Sequence, residues 1–344
     1  MKFGFESQSQ TPNIMAIHIA TKTLFAINKQ IEQDQGAAFR QFEKAVFPHM
    51  SDAYRGAENN PHRQHLGASG IGKDCARAIW YSFRWFTKPH FDGRILRLFN
   101  RGHLEEARFI AMLLAIGVEV FQQDANGKQY RISDMGGHFG GSGDGVGIKV
   151  PDIPEGMPSL LEFKTHNDKS FTKLAGKSYS KFVEGVLDPK APQVAFDGEG
   201  VASAKYEHYV QMQVYMRKMN LNVGLYGAVN KNDDHIYLEL VMPDPLLADQ
   251  FIDRAKQIIR VHAEPPKKIN NSPGWFECKF CDHKPVCHLG AVPERNCRTC
   301  YHARAREDGK WYCTEPKADA AFGDNPQLTE ADQMAACPDY TRLC

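Results

Sequence analysis

The sequence has no apolar run of about 18 residues, the length that reads as a membrane-spanning helix. It has no charged, apolar and small-residue succession of a secretory leader either, so the expectation is a soluble, cytoplasmic protein without a membrane partner. Charge of one sign is not in excess: 42 Lys+Arg stand against 41 Asp+Glu, a formal net charge of +1. That excludes a globally basic nucleic-acid coat and leaves room for a local basic groove. No internal repeat is present. The nine cysteines are not spread along the chain. One stands at position 75 and the rest follow position 277. In an intracellular chain such clustering favours metal binding over disulfides. The 344 residues suffice for one large domain or two smaller ones, with a core that needs no disulfide staples.

What is present is helical pattern, then strand pattern, then cysteine. The first ten residues read as a disordered start or a remnant. Residues 13–47 read as helical, with Ile17, Leu24, Ile27 and Ile31 near helical spacing. Residues 51–65 are polar and read as a linker. Gly67 to Lys73 nearly matches a phosphate-binding loop. Asp74 stands where that loop needs Ser or Thr, and no apolar strand precedes it, so the match is rejected. Residues 76–86 read as a short aromatic helix. Residues 94–118 give the clearest helix, with Ile95, Phe99, Ile110, Leu113, Leu114 and Val118 as its inward stripe and His103 and Glu106 on that same stripe.

Strands are expected at 118–122, 129–133, 144–150, 159–165, 223–229 and 235–242. Lys169, Lys173, Lys177 and Lys181 recur every four residues; on a continuous helix they share a face that could follow a phosphate row. Helices are expected at 205–219 and, opened by the Asp244-Pro245 cap, to about Ala263. This order implies an α/β or α+β core, with a mixed sheet flanked by helices.

The glycine-rich stretch from Gly140 leads to Asp144, and the next strand carries Glu162-Phe163-Lys164. Side chains alternate faces with period two, so Glu162 and Lys164 point one way and Phe163 the other. A hairpin brings Asp144 beside them. Two carboxylates and a lysine on one face suit Mg²⁺ or Mn²⁺, a bound water and a phosphate. An ordinary cross-strand Glu–Lys pair would leave the same trace, so the motif needs company.

Cysteine supplies some. Cys278-x2-Cys281-x5-Cys287 needs a fourth ligand: Cys75 or, alternatively, His288. Four such ligands hold either an iron–sulfur cluster or zinc. If Cys75 joins, the cluster closes a loop of roughly two hundred residues, a cross-link that removes about 5 kcal/mol of unfolded-chain entropy. No expected helix or strand otherwise joins those ends. In the tail, Cys297, Cys300, Cys313 and Cys337 read as a zinc-ribbon-like site, with His302 or Cys344 as substitutes. Few large aliphatics lie there, so the tail should need its metal to fold.

Together these pieces resemble the RecB-like nucleases of the PD-(D/E)XK superfamily, and more closely their iron–sulfur branch, which includes AddB and CRISPR-associated and phage relatives. The resemblance rests on Cys75 with Arg77, Gly102-His103 with Glu106, Gly143-Asp144, Glu162-Phe163-Lys164, Gln211-x3-Tyr215 and the three-cysteine run, over about residues 66–290. Gly143 replaces the proline common in the superfamily, and no helicase motif is present.

The resemblance implies a restriction-endonuclease-like core. It implies metal ligation by His103, Asp144, Glu162 and the backbone carbonyl of Phe163, with Lys164 as the catalytic lysine. It implies that Gln211 and Tyr215 hold the substrate strand and the site, and that Cys75, Cys278, Cys281 and Cys287 bind a [4Fe–4S] cluster. Three segments follow: a helical segment and linker (1–65), the nuclease domain (66–290) and a zinc-binding tail (291–344). The expected activity is a Mg²⁺- or Mn²⁺-dependent DNA exonuclease, acting at ends or on single strands, in phage or bacterial recombination, repair or degradation. The tail would serve a recombination or replication partner. A structure-cleaving endonuclease with the same site and a catalytically silent DNA-binding subunit are the alternatives.

Overall fold

The computed structural model describes residues 16–49, 62–123, 129–315 and 326–343. The first ten residues, most of the expected linker and Cys344 lie outside the described residues. The N-terminal segment is a strand and two helices rather than one helix: β1 (His18–Ile19), α1 (Thr21–Gln33) and α2 (Ala37–Val46). The break is made by Asp34. Its carboxylate accepts from the backbone N–H groups of Gly36, Ala37 and Ala38 at 2.8–3.1 Å, which starts a new helix instead of extending the old one.

After β2 (Leu66–Gly67) come α3 (Ala76–Phe83) and α4 (Gly93–Ala115). Asp92 caps α4 by accepting from Ile95 N at 2.8 Å. The expected inward stripe holds only in the second half of α4, where Ile110 and Leu113 are buried. Phe99 is 43% exposed and touches Phe91, because the first half of α4 projects beyond the layer it packs on.

The strands follow as β3 (Glu119–Phe121), β4 (Arg131–Asp134), β5 (Phe139–Ser142), β6 (Gly145–Ile148) and β7 (Ser159–His166). Helices α5 (Asp168–Ala175), α6 (Tyr179–Leu187), α7 (Gly200–Ala204) and α8 (Tyr206–Met219) lead to β8 (Gly224–Asn230), β9 (Ile236–Val241) and α9 (Pro245–Arg260). The lysine row does not form on one helix. Gly176, at φ +94°, separates α5 from α6, so Lys169 and Lys173 lie on one helix and Lys181 on the next.

Six strands make a mixed sheet in the order β1-β9-β8-β7-β6-β3. Only β7 and β8 run parallel, which a crossover through α5–α8 permits; the other neighbours are antiparallel. Helices flank the sheet, and β7 shows the two layers plainly. Its Leu161 and Phe163 pack into a cluster with Phe109, Ile110 and Leu113 of α4. Phe163 and Phe109 stack with centroids 4.8 Å apart. Its Leu160 packs the other way, in the cluster that holds Val210, Val214 and Tyr215 of α8 and Ile252 of α9. A second sheet, β2-β5-β4, carries the glycine-rich lead into β6. Among the described residues no helix is long and apolar enough to cross a membrane.

Beyond α10 (Phe276–Lys279) and α11 (Lys284–His288), the tail forms its own sheet of β10 (Ala303–Ala305), β11 (Trp311–Cys313) and β12 (Gln327–Leu328). Its apolar side chains do not make a separate core. Ala303, Ala305, Trp311 and Leu343 join the same cluster as α3, α8 and α9. Two buried arginines tie the tail down. Arg298 donates to Gln64 O, Phe83 O, Gln64 Oε1 and Gln333 Oε1 at 2.8–3.1 Å and lies 3.7 Å over the Trp85 ring. Arg84 donates to Arg298 O and Ala303 O at 2.8 and 3.1 Å. Carbonyl oxygens facing both guanidinium groups offset the cost of burying two cations.

Trp311 sits between Phe83, His138 and both guanidinium groups. Trp311→Ala should therefore cost about 3–5 kcal/mol, as for other buried large aromatics. A thermal melt should show one transition lowered for the whole chain. A melt in which a small separate transition moves and the main one stays would show that the tail folds apart.

Candidate active site

The β6–β7 pairing sets Gly145 against Leu161. Extended by one residue, that register puts Asp144 opposite Glu162. Asp144 Oδ2 accepts from Phe163 N at 2.7 Å. Glu162 is 1% exposed. Its Oε1 accepts from Lys164 Nζ in a short ion pair and from Gln211 Nε2 at 2.8 Å, while Oε2 is buried with no hydrogen-bond partner. Lys164 Nζ also donates to Phe163 O at 3.1 Å.

The bend before Asp144 is glycine for a packing reason. A methyl group at Gly141 would collide with the Tyr215 hydroxyl, and one at Gly143 would press on Leu160. Tyr215 and Gln211 lie one turn apart on α8, so the helix that orients Glu162 also supports the segment carrying Asp144. Gly143 in place of a proline leaves that contact open.

Burial raises the pKa of Asp144 well above the usual carboxylate range, and the charge of Glu162 raises it further. Burial raises Glu162 as well, against the lowering effect of Lys164. Burial alone would depress Lys164, but Glu162 and Asp144 outweigh it and hold the ammonium charged. The cluster thus contains more potential negative charge than one lysine can balance.

Glu106 belongs to it: its charge acts on Asp144, Glu162 and Lys164 alike. His103 is placed differently. Its side chain is 38% exposed and its Nδ1 faces Glu106 Oε1 at 3.5 Å, a contact that raises the imidazole pKa. The structure therefore brings Asp144, Glu162, Lys164, Gln211, Tyr215 and Glu106 together, with His103 reaching the group through Glu106.

A cleft of about 1100 Å³ runs from Lys164 to the first cysteine set. Cys75 just before α3, Cys278 in α10, Cys281 between α10 and α11, and Cys287 in α11 all line it, and none is in a disulfide. Burial raises the Cys278 and Cys281 thiols, and the nearby Cys75 and Cys287 add to the effect. The alternative ligand His288 lines the same cleft.

One expectation is corrected here. The ends do meet without a cluster. Trp80 Nε1 donates to Val261 O at 3.0 Å, Arg254 donates to Ile71 O and Asp74 O at 3.0 and 2.9 Å, and His283 bonds Ser82 and Thr87 at 2.8 Å. These contacts are long-range side-chain bonds, which carry no sequence periodicity.

In the tail, burial and the nearby Cys337, Cys300 and Cys313 push the Cys297 thiol up to about 12, and burial with the nearby Cys300 and Cys337 raises the Cys313 thiol. His302 is engaged by Glu315, with Nε2 2.9 Å from Oε2. Among the described residues no three His, Cys, Asp or Glu side chains stand, as placed, in a geometry that would close on a metal ion. The donor types fit all the same: acidic oxygens with one orphaned and buried at the first site, four thiols at each of the others.

The sequence matches no protein-family model and no curated protein. Among solved structures the chain is distantly similar to the crystal structure of SSO0001, with 14% identity and a TM-score of 0.35 over 76% of this chain and 98% of that one. It is similar to an alkaline exonuclease (LHK-Exo) from Laribacter hongkongensis, with 14% identity and a TM-score of 0.34 over 57% of this chain and 86% of that one. The chemistry at this site therefore rests on its own residues.

Two residues of the cleft, His166 and His208, and the buried Tyr226 that bridges them went unread in the sequence. Faint signals exist. His166 follows Glu162 and Lys164 on the same face of β7, and His208 precedes Gln211 by three residues on α8. Nothing in the pattern pairs them with Tyr226.

A pH dependence follows from the two carboxyls. Both bind their protons more tightly folded than unfolded, so the stability they contribute is full at low pH and is lost as pH rises through their raised values. With chelator present, melts between about pH 5 and pH 8 should show the wild type losing stability relative to the Asp144→Asn/Glu162→Gln variant as pH rises. Parallel curves for the two proteins would mean that the carboxyls titrate normally.

Proposed function

We propose that this chain is a divalent-metal-dependent DNA nuclease, an exonuclease acting at DNA ends or on single strands. The observation that carries the reading is the buried Glu162 with the half-buried Asp144 opposite it, one Glu162 oxygen left without a partner and Lys164 beside it. An orphaned buried carboxylate oxygen costs about 1–3 kcal/mol or more, which a cation would recover. Asp144, Glu162 and the Phe163 carbonyl would hold the cation, with Glu106 and His103 at its open side. When bound, Mg²⁺ or Mn²⁺ would supply charge neutralisation and an activated water.

The residues do the rest. The Phe163 N–H fixes Asp144, and Gln211 holds Glu162 Oε1 so that Oε2 stays free. Lys164 offers a point charge to the phosphate as negative charge develops. Tyr215 braces the glycine bend. The four thiols along the cleft are assigned to a [4Fe–4S] cluster and the tail thiols to zinc. Residues 66–290 would form the nuclease domain, and the tail a zinc-bearing face for a recombination or replication partner.

Glu162→Gln keeps the size and removes the charge. It should abolish cleavage of end-labelled DNA with Mg²⁺ or Mn²⁺ while leaving the melt close to wild type. Lys164→Ala should bind Mn²⁺ in calorimetry yet lose at least about a hundredfold in rate, the scale of one lost electrostatic stabiliser. Wild-type cleavage by either variant would sink the assignment. Comparison of linear with covalently closed circular DNA separates an exonuclease from an endonuclease.

Cys75→Ala should lose iron and acid-labile sulfide. Because packing also joins α3 to the cysteine loop, the variant should still melt in one cooperative transition, at a lower temperature. Full iron content in that protein would move the fourth ligand, with His288 the first alternative.

A further inference from the structure

Beside Lys164 lies an imidazole–phenol–imidazole chain that the catalytic reading does not use. Tyr226 Oη is 2.9 Å from His166 Nε2 and 2.9 Å from His208 Nδ1. The two imidazoles are stacked, with centroids 5.7 Å apart and planes within 11°. Both line the cleft that Lys164 lines. The His208 ring makes its one side-chain hydrogen bond among the described residues through Nδ1, which leaves Nε2 for the cleft.

The chain stands in register with the candidate site. On β7, His166 lies two residues past Lys164, on the same face and about 6–7 Å further along. On α8, which faces it, His208 lies one turn before Gln211. The Glu162–Gln211 contact and the His166–Tyr226–His208 contact are thus successive rungs between the same two elements.

We propose that His208 is a substrate-contacting residue that donates its Nε2–H to a phosphate of the bound nucleic-acid strand next to the one cleaved, and that Tyr226 and His166 are positioning residues that fix its tautomer. This rests on the nuclease reading given above. The proton arithmetic has two solutions. A tyrosine hydroxyl has one hydrogen, so it donates to one imidazole and accepts from the other. If His166 Nε2–H donates to Tyr226 and Tyr226 donates to His208 Nδ1, then the neutral His208 carries its proton on Nε2. The reverse order would turn a lone pair toward the cleft, which a phosphate disfavours.

Burial comes first and the nearby positive groups second, Lys205, Lys164 and Lys231 for His166 and Lys164, His166 and Lys205 for His208; together they push each imidazole down to about 3, which favours the neutral ring. A neutral donor adds a directed bond without a further buried cation beside Lys164. A histidine pair serving the core alone would have no reason to present a ring nitrogen to an open cleft.

The test uses the full chain, a fluorescein-labelled single-stranded oligonucleotide, anisotropy in Ca²⁺ and cleavage in Mn²⁺. His208→Ala should weaken binding about tenfold, the scale of one hydrogen bond to a charged group. His208→Gln, whose amide N–H reaches a similar place, should recover most of that loss. Tyr226→Phe should weaken binding about threefold, and His208→Ala/Tyr226→Phe should be no worse than His208→Ala, since Tyr226 acts through His208.

Single methylphosphonate substitutions along the oligonucleotide give the decisive reading. The wild type should be sensitive at one phosphate flanking the cut, and His208→Ala should lose that sensitivity while His208→Gln keeps it. An unchanged methylphosphonate profile in both His208 variants, or wild-type binding by His208→Ala, overturns the proposal. A wild type that binds DNA in a His208-dependent way but never cuts would remove the nuclease reading and leave this contact standing. A wild type that neither binds nor cuts removes both.

Discussion

The structure depends on one constraint: β7 is buried on both faces, yet one face carries Glu162 and Lys164. An ordinary buried strand would be apolar throughout. Here the polar face has to be satisfied, and the elements around it are arranged to do so. Gln211 of α8 binds Glu162, the Phe163 N–H binds Asp144, and Lys164 supplies one positive charge. The Phe163 side of the strand takes the packing load, stacked on Phe109 of α4. The strand is thus a rigid support for an unstable charge set, which is how a reactive site keeps its geometry.

That charge set is incompletely compensated. Three carboxylates, from Glu106, Asp144 and Glu162, act on one lysine, and Asp144 and Glu162 hold their protons unusually tightly. Charge of this kind is stable only when protonated or when a cation is added. The fold tolerates it because the parallel β7–β8 pair and the α8 layer overdetermine the positions of the side chains.

The tail obeys a different rule. It reaches the main core through Trp311 and two buried arginines that donate to backbone and glutamine carbonyls. Cation–π stacking of Arg298 on Trp85 adds to this. Residues that look too few and too small to fold alone need no core of their own when they complete another. The cysteine sets then gather at the two margins of that shared core, one on the cleft and one within the tail.

The sequence by itself determined the strand alternation at Glu162-Phe163-Lys164, the hairpin that returns Asp144, the Gln211/Tyr215 helix face and the capped helix after Asp244. Each is set by local periodicity or by a short turn, so residues a few positions apart suffice. It did not determine that α1 and α2 break at Asp34, that Gly176 divides the lysine row, or that Phe99 stays exposed, because a single cap, a single φ or the reach of a neighbouring layer decides these. Glu106 was already legible beside His103 on the helical stripe; only the tertiary structure showed its charge acting on Asp144, Glu162 and Lys164, joined α3 to the cysteine loop and linked His166 to His208 through Tyr226. Those contacts join residues tens to hundreds of positions apart, and the packing of layers that creates them leaves no period in the chain.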